Sequence, residues 1–144
     1  MRWIVLLGGL AACVAFSQDP KQPIPYSHKT HLARGLQCKD CHVNPEPGEL
    51  MTFPATAKCL TCHVTIARGG AEIPWQRVYN VAAGIYWSHR PHLEAKVTCT
   101  ECHGNVASLD VMTRLTNVTS MEGCITCHRE KKAGTGCEFC HEAR

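Results

Sequence analysis

The pattern Cys-x-x-Cys-His occurs five times, at Cys38-Cys41-His42, Cys59-Cys62-His63, Cys99-Cys102-His103, Cys124-Cys127-His128 and Cys137-Cys140-His141. It uses ten of the 11 cysteines and five of the nine histidines in a chain of 144 residues. Aromatics make up only 6% of the chain, and a small domain with so modest an apolar complement cannot fill an ordinary core. Its buried apolar surface has to come from something that the cysteines hold.

Three chemistries use cysteine pairs. A zinc ribbon fits the 17 residues between Cys41 and Cys59, and a disulfide framework fits a small exported chain. Neither calls for a histidine after every second cysteine, and an odd number of pairs leaves one unmatched in any four-cysteine zinc scheme. Covalent haem calls for the whole pattern. Two thiols add across the two haem vinyl groups, and the histidine that follows is placed under the iron as its proximal ligand. The sequence therefore predicts five covalent haems c, attached through the five cysteine pairs, with His42, His63, His103, His128 and His141 as proximal ligands.

The other four histidines form two His-x-x-His pairs. Tyr26-Ser27-His28-Lys29-Thr30-His31-Leu32 leads to Cys38, and Trp87-Ser88-His89-Arg90-Pro91-His92-Leu93 leads to Cys99. An offset of 61 residues superposes the two copies, and in each the histidines lie ten and seven residues before the cysteine. Residues three apart on a helix project from nearly the same face, so one pair cannot grip a single iron from both sides. Each pair is expected to serve two haems: His28 the haem of Cys38 and Cys41, His89 that of Cys99 and Cys102, and His31 and His92 two of the remaining three. One haem is then left without a distal histidine. Met121, Met112 and Met51 are its candidate ligands, Met121 first, and the alternative is an open position. A thioether would raise the potential of that haem, whereas an open position would admit a small molecule.

The N-terminus reads as an export signal over residues 1–17. A short basic start, Met1-Arg2, precedes an uncharged run from Trp3 to Phe16, which is too short for a bilayer-spanning helix of about 20 residues. Ala15-Phe16-Ser17 offers a conventional cleavage site, and Leu10-Ala11-Ala12-Cys13 a lipobox in which Cys13 would carry lipid and attach the chain to a membrane. Residues 18–25 form a proline-rich linker. Residues 26–144 form a pentahaem domain of two related halves, about 26–72 and 73–144. The expected location is the periplasm or the outer face of the cytoplasmic membrane. A formal charge of +3, without a basic run or an aromatic-basic stripe, gives no support to nucleic-acid binding.

Secondary structure is weakly signalled. Short helices are expected on the His-x-x-His segments and after each Cys-x-x-Cys-His, with Pro45, Pro47, Pro54, Pro74 and many glycines breaking what lies between. No stretch alternates long enough for a strand. The expected fold class is a small multihaem cytochrome c of the class III type, with short helices and long irregular segments packed around haems and little or no β-structure.

The repeated His-x-x-His leading to Cys-x-x-Cys-His resembles the class III multihaem cytochromes, the cytochrome c3 and c7 group. In that group the first histidine of a pair caps the haem of the motif that follows, and the second caps another haem. Ile73-Pro74-Trp75-Gln76-Arg77-Val78-Tyr79, Ile85-Tyr86-Trp87-Ser88-His89 and Met121-Glu122-Gly123-Cys124-Ile125-Thr126-Cys127-His128-Arg129 are similar to the multihaem subunits of alternative complex III and of menaquinone reductase. Phe53-Pro54-Ala55-Thr56-Ala57-Lys58-Cys59 in the first half fits the same pattern. The resemblance implies electron relay between a membrane quinol site and other redox subunits. Redox proteins, including a membrane quinol-oxidising complex, are the expected partners, and no catalytic residue is required. The alternative is a small multihaem reductase with one five-coordinate haem as its active site.

Overall fold

The computed structural model describes residues 19–66 and 71–141. The expected export segment at 1–17, with Cys13, lies outside them. Seven short helices follow one another: α1 His28–Ala33, α2 Cys38–Cys41, α3 Thr56–Leu60, α4 His89–Glu94, α5 Cys99–His103, α6 Met121–Glu130 and α7 Cys137–Cys140. A 3-10 turn at Val106–Ser108 follows α5. Among the described residues there is no named strand, only an isolated antiparallel bridge between Ile85 and His141, and no helix is long and apolar enough to cross a membrane.

Helices α1 and α4 carry the His-x-x-His segments, as the sequence predicts. The other helices differ from expectation: α2, α5, α6 and α7 cover the Cys-x-x-Cys turns themselves, and α3 runs into Cys59 and ends at Leu60, rather than following the motifs. Local capping explains this. Asp40 reaches back to accept from the Gln37 N–H at 2.7 Å, and Glu101 accepts from the Thr98 N–H at 2.8 Å, so each motif starts its own helical turn. Beyond the motif, His42 is already extended and Gly104 takes a positive φ of 71°, which ends the turn at once. Only α6 runs on past its histidine, to Glu130. Ser27 and Ser88 cap α1 and α4, accepting from the N–H groups of Thr30 and Arg90.

The two copies of the repeat meet through reciprocal contacts. The Arg90 N–H donates to the Gly48 carbonyl at 3.2 Å, and the Lys29 N–H donates to the Leu109 carbonyl at 2.9 Å. Both partners of the first bond become those of the second under the 61-residue offset. The loop after α2 thus docks on the start of α4, and the segment after α5 docks on the start of α1. The His89 N–H also donates to the Gly48 carbonyl at 2.8 Å, and Asn44 Nδ2 donates to the same oxygen at 3.0 Å. Arg90 completes the first junction, pairing with Glu46 at 2.6 Å and donating to the Pro47 carbonyl at 3.2 Å.

Apolar packing within the polypeptide is sparse. Among the described residues Val78 is the buried hydrophobic side chain, while Val64, Phe139 and Tyr86 are 85%, 60% and 59% exposed. Thr56 is buried by hydrogen bonding instead: its N–H donates to Glu72 at 2.9 Å, and its hydroxyl accepts from the Ile73 N–H at 3.0 Å. Helix and turn hydrogen bonds, caps and the seam hold the chain, and the interior apolar surface falls to whatever the cysteines hold.

Gly48 is the tightest point of the seam. Its φ is +92°, and a Cβ there would meet Arg90 Cβ at 2.6 Å. Gly84 has a φ of +77° with nothing within 4 Å of an added Cβ. Gly84→Ala therefore carries only the left-handed backbone cost of about 1–2 kcal/mol. Gly48→Ala is expected to add overpacking of about 1–3 kcal/mol. Guanidinium unfolding of the two variants of the exported protein checks the difference.

Candidate haem-attachment centre

Eight of the nine histidines are arranged as four facing pairs. His28 lies opposite His42, with ring centres 6.5 Å apart and planes 12° apart, and His89 lies opposite His103 at 6.4 Å and 10°. His31 lies opposite His63 at 6.0 Å and 56°, and His92 opposite His128 at 6.1 Å and 45°. Each pair joins one histidine of a His-x-x-His helix to the histidine of a Cys-x-x-Cys-His motif. Two metal–imidazole bonds of about 2.0–2.1 Å in line, plus the two half-rings, place ring centres about 6.4 Å apart. The residues present therefore fit an iron held between trans imidazoles. Tetrahedral zinc needs four converging ligands, and among the described residues no group of three or more His, Cys, Asp or Glu converges in that way.

The orientation of these rings is set by backbone carbonyls. Nδ1 of His31 lies 2.7 Å from the Ser27 carbonyl, and Nδ1 of His92 lies 2.8 Å from that of Ser88, so each helix cap also fixes a ring. Nδ1 of His42 is held at the Thr52 carbonyl, that of His89 at Glu49 and that of His128 at Gly134, at 2.8, 2.8 and 2.6 Å. A carbonyl acceptor keeps the proton on Nδ1 and leaves the Nε2 lone pair for a metal. Burial, with His42 and then His31 adding, lowers the pKa of His28 to about 4. His103 is lowered by burial, then by His89 and His42. Both rings are thereby kept neutral, which is the ligating form. His28 Nδ1 is itself buried without a hydrogen-bond partner.

Aromatic side chains wedge the distal rings. Tyr26 stacks on His31 at 4.3 Å and meets His28 edge-on at 4.9 Å. Trp87, its repeat equivalent, lies 4.5 Å from His92 and 5.3 Å from His89. Tyr79 meets His103 edge-on at 4.8 Å, and its hydroxyl oxygen accepts from the Leu115 and Thr116 N–H groups at 2.8 and 3.1 Å. Thr116 in turn donates to the Cys102 carbonyl. Nothing in the sequence motifs alone gives Tyr26, Trp87 and Tyr79 a part in the site. Their place directly before the Ser-His-x-x-His caps was the available signal for the first two.

The ten motif cysteines are all unpaired thiols, so no disulfide competes for them. His141 has no facing imidazole among the described residues and closes α7 in an exposed position. Met121 opens α6 and is 68% exposed, while Met112 and Met51 are half-buried.

Short helices without a sheet, Cys-x-x-Cys-His turns and opposed imidazoles are the features of a class III multihaem cytochrome c, an electron carrier that holds haem c covalently. The family described as "Cytochrome c3" matches residues 30–106, and "Cytochrome c7 and related cytochrome c" matches residues 85–142. The chain belongs to the cytochrome c3 family. It is also similar to the protein described as "Menaquinone reductase, multiheme cytochrome c subunit" of Nitratidesulfovibrio vulgaris Hildenborough. The two are 28% identical over 84% of this chain and 68% of that one.

Tyr79→Phe keeps the ring against His103 but removes the acceptor for two backbone N–H groups. The expected loss is about 1–3 kcal/mol of stability, with unchanged haem content. Chemical denaturation together with a haem assay checks both.

Proposed function

We propose that the chain is a five-haem electron-transfer subunit, exported to the periplasmic side and working with a membrane quinone-linked redox complex. The observation that carries the haem reading is the set of four imidazole pairs at 6.0–6.5 Å, each including the histidine of a Cys-x-x-Cys-His motif. Cys38 and Cys41, Cys59 and Cys62, Cys99 and Cys102, Cys124 and Cys127, and Cys137 and Cys140 would hold one haem each. His28 and His42, His31 and His63, His89 and His103, and His92 and His128 would be the histidine pairs that hold four of the irons, and His141 would hold the fifth with Met121 as its candidate partner. The partner class rests on the likeness to the menaquinone reductase subunit.

Bound haem supplies a reversible one-electron change at iron, with a potential set by axial ligand, burial and nearby charge. The chain contributes the thiols that fix each group and the carbonyls that hold the imidazole tautomers. The aromatic wedges keep neighbouring distal rings in place. None of these residues moves a proton or attacks a substrate.

A second reading, a small reductase with one open iron position, is favoured by the one histidine without a facing imidazole, His141. Spin state separates the two. Five low-spin irons in the resting protein support the carrier with Met121 or an equivalent ligand, and one high-spin iron supports the open site.

Intact mass of protein exported by a host competent in haem attachment is expected to show five added haems. A chain carrying fewer, or carrying zinc, overturns the count. In the loaded protein, His31→Ala is expected to turn one low-spin haem high-spin by electron paramagnetic resonance. The same change with His28→Ala should affect a different haem, and an unchanged spectrum in either variant refutes that ligand pair.

A further inference from the structure

Contacts between the attachment motifs order them in space, given the reading of all five as haem sites. Helix α1 carries His28 and His31, which face His42 and His63. The motifs at Cys38 and Cys59 are therefore neighbours across a single helix turn. Tyr26 lies between them, against both distal rings. Helix α4 does the same for the motifs at Cys99 and Cys124, with Trp87 as the wedge. Lys131, at the end of α6, also reaches Glu101 inside the Cys99 motif at 2.8 Å.

The two neighbour pairs join at one place. The reciprocal bonds Arg90 to Gly48 and Lys29 to Leu109 relate the halves by an approximate two-fold, as in an isologous interface. The seam also sets the motifs at Cys38 and Cys99 side by side. The loop that follows Cys38-x-x-Cys41-His42 holds His89 twice, the Gly48 carbonyl accepting from its N–H and the Glu49 carbonyl lying at its Nδ1, both at 2.8 Å, and His89 faces His103 of the Cys99 motif. The motifs at Cys38 and Cys99 therefore flank the axis, and those at Cys59 and Cys124 lie outside them.

The fifth motif extends one side only. Phe139, inside Cys137-x-x-Cys140, meets His128 edge-on at 6.2 Å and packs against Gly134, whose carbonyl holds the His128 ring.

We infer that the five motifs form one unbranched line, in the order Cys59/Cys62, Cys38/Cys41, Cys99/Cys102, Cys124/Cys127, Cys137/Cys140. Spatial order thus departs from chain order, because the first motif in sequence is second in the line. The line has two unlike ends. One is the His31–His63 site, a bis-histidine end. The other is the His141 site, whose histidine faces no imidazole among the described residues. Exchange with partners takes place at these ends, and the motifs beside the axis serve as the interior of the line.

The test is two-dimensional nuclear Overhauser spectroscopy of the fully reduced, exported protein, with each haem assigned through the thioether bridges to its own cysteine pair. Contacts are expected between haems on Cys59/Cys62 and Cys38/Cys41, Cys38/Cys41 and Cys99/Cys102, Cys99/Cys102 and Cys124/Cys127, and Cys124/Cys127 and Cys137/Cys140. A contact between the Cys59 and Cys124 haems, or between the Cys38 and Cys137 haems, overturns the order. So does the absence of the Cys38–Cys99 contact. A second readout uses His31→Met in the loaded protein. Its redox titration should shift the potentials of the Cys59/Cys62 and Cys38/Cys41 haems and leave that of the Cys137/Cys140 haem unchanged. A shift at the Cys137/Cys140 haem refutes the line. A haem count below five by mass defeats the functional reading instead, and the contacts among the loaded sites still decide the order.

Discussion

The opposition of two imidazoles across one metal-sized gap is the constraint on which the rest of this structure depends. Each of the four pairs ties a helix residue to a motif histidine between 14 and 36 positions away in the chain, His28–His42 and His89–His103 being the shortest spans and His92–His128 the longest. A metal bond across such a gap would do what a core does in other small domains. It would close a loop, and its strength would not depend on the area of apolar side chain that the sequence can supply. With Val78 as the buried hydrophobic among the described residues, the chain is organised around its ligands, and the secondary structure is reduced to what places them. One helical turn suffices for Cys-x-x-Cys, and less than two turns suffice for His-x-x-His.

That economy explains why hydrogen bonds to backbone carbonyls are so prominent. A helix of six residues has little cooperative stability of its own, so its ends have to be fixed by partners. Ser27 and Ser88 do this twice over, since the hydroxyl caps the helix while the carbonyl holds the Nδ1 of the histidine one turn on. His89 takes its carbonyl from Glu49 in the other half. The seam between the halves is therefore also part of a proposed ligand site, and a change in docking at Gly48 would be felt at the His89 ring.

Much of this was legible in the sequence, and the reason is chemical. Cys-x-x-Cys-His is a local motif whose spacing is dictated by the haem itself, and His-x-x-His at a fixed distance before it marks a helix that serves two sites. The expected partners of His28 and His89 are the rings that the structure brings opposite them. The facing of His31 to His63 and of His92 to His128 could not be read, because nothing in the spacing chooses among three remaining motifs; only the folded path of the chain does. The seam was hidden for a different reason. Its acceptors are the carbonyls of Gly48 and Leu109, and a backbone carbonyl leaves no side-chain signature. The turns at Cys38 and Cys99 start within the motifs rather than after them because their capping carboxylates, Asp40 and Glu101, lie between the cysteines, where the motif pattern leaves the residue type free.

The repeat also separates what duplication preserves from what it leaves free. The equivalent pairs agree closely: 6.5 Å and 12° for His28–His42 against 6.4 Å and 10° for His89–His103, and 6.0 Å against 6.1 Å for the outer pairs. The wedge residue, by contrast, is tyrosine in one half and tryptophan in the other, and the ring of His89 has a carbonyl partner where the Nδ1 of His28 is buried without one. Two sites proposed to share the same ligands then differ in hydrogen bonding and in the aromatic beside them. Those are the levers that tune a haem when the axial ligands are held constant. A symmetric array of identical sites would give an electron no preferred direction. The departures from symmetry, small at the paired sites and complete at the appended Cys137 motif, are where such a preference has to reside.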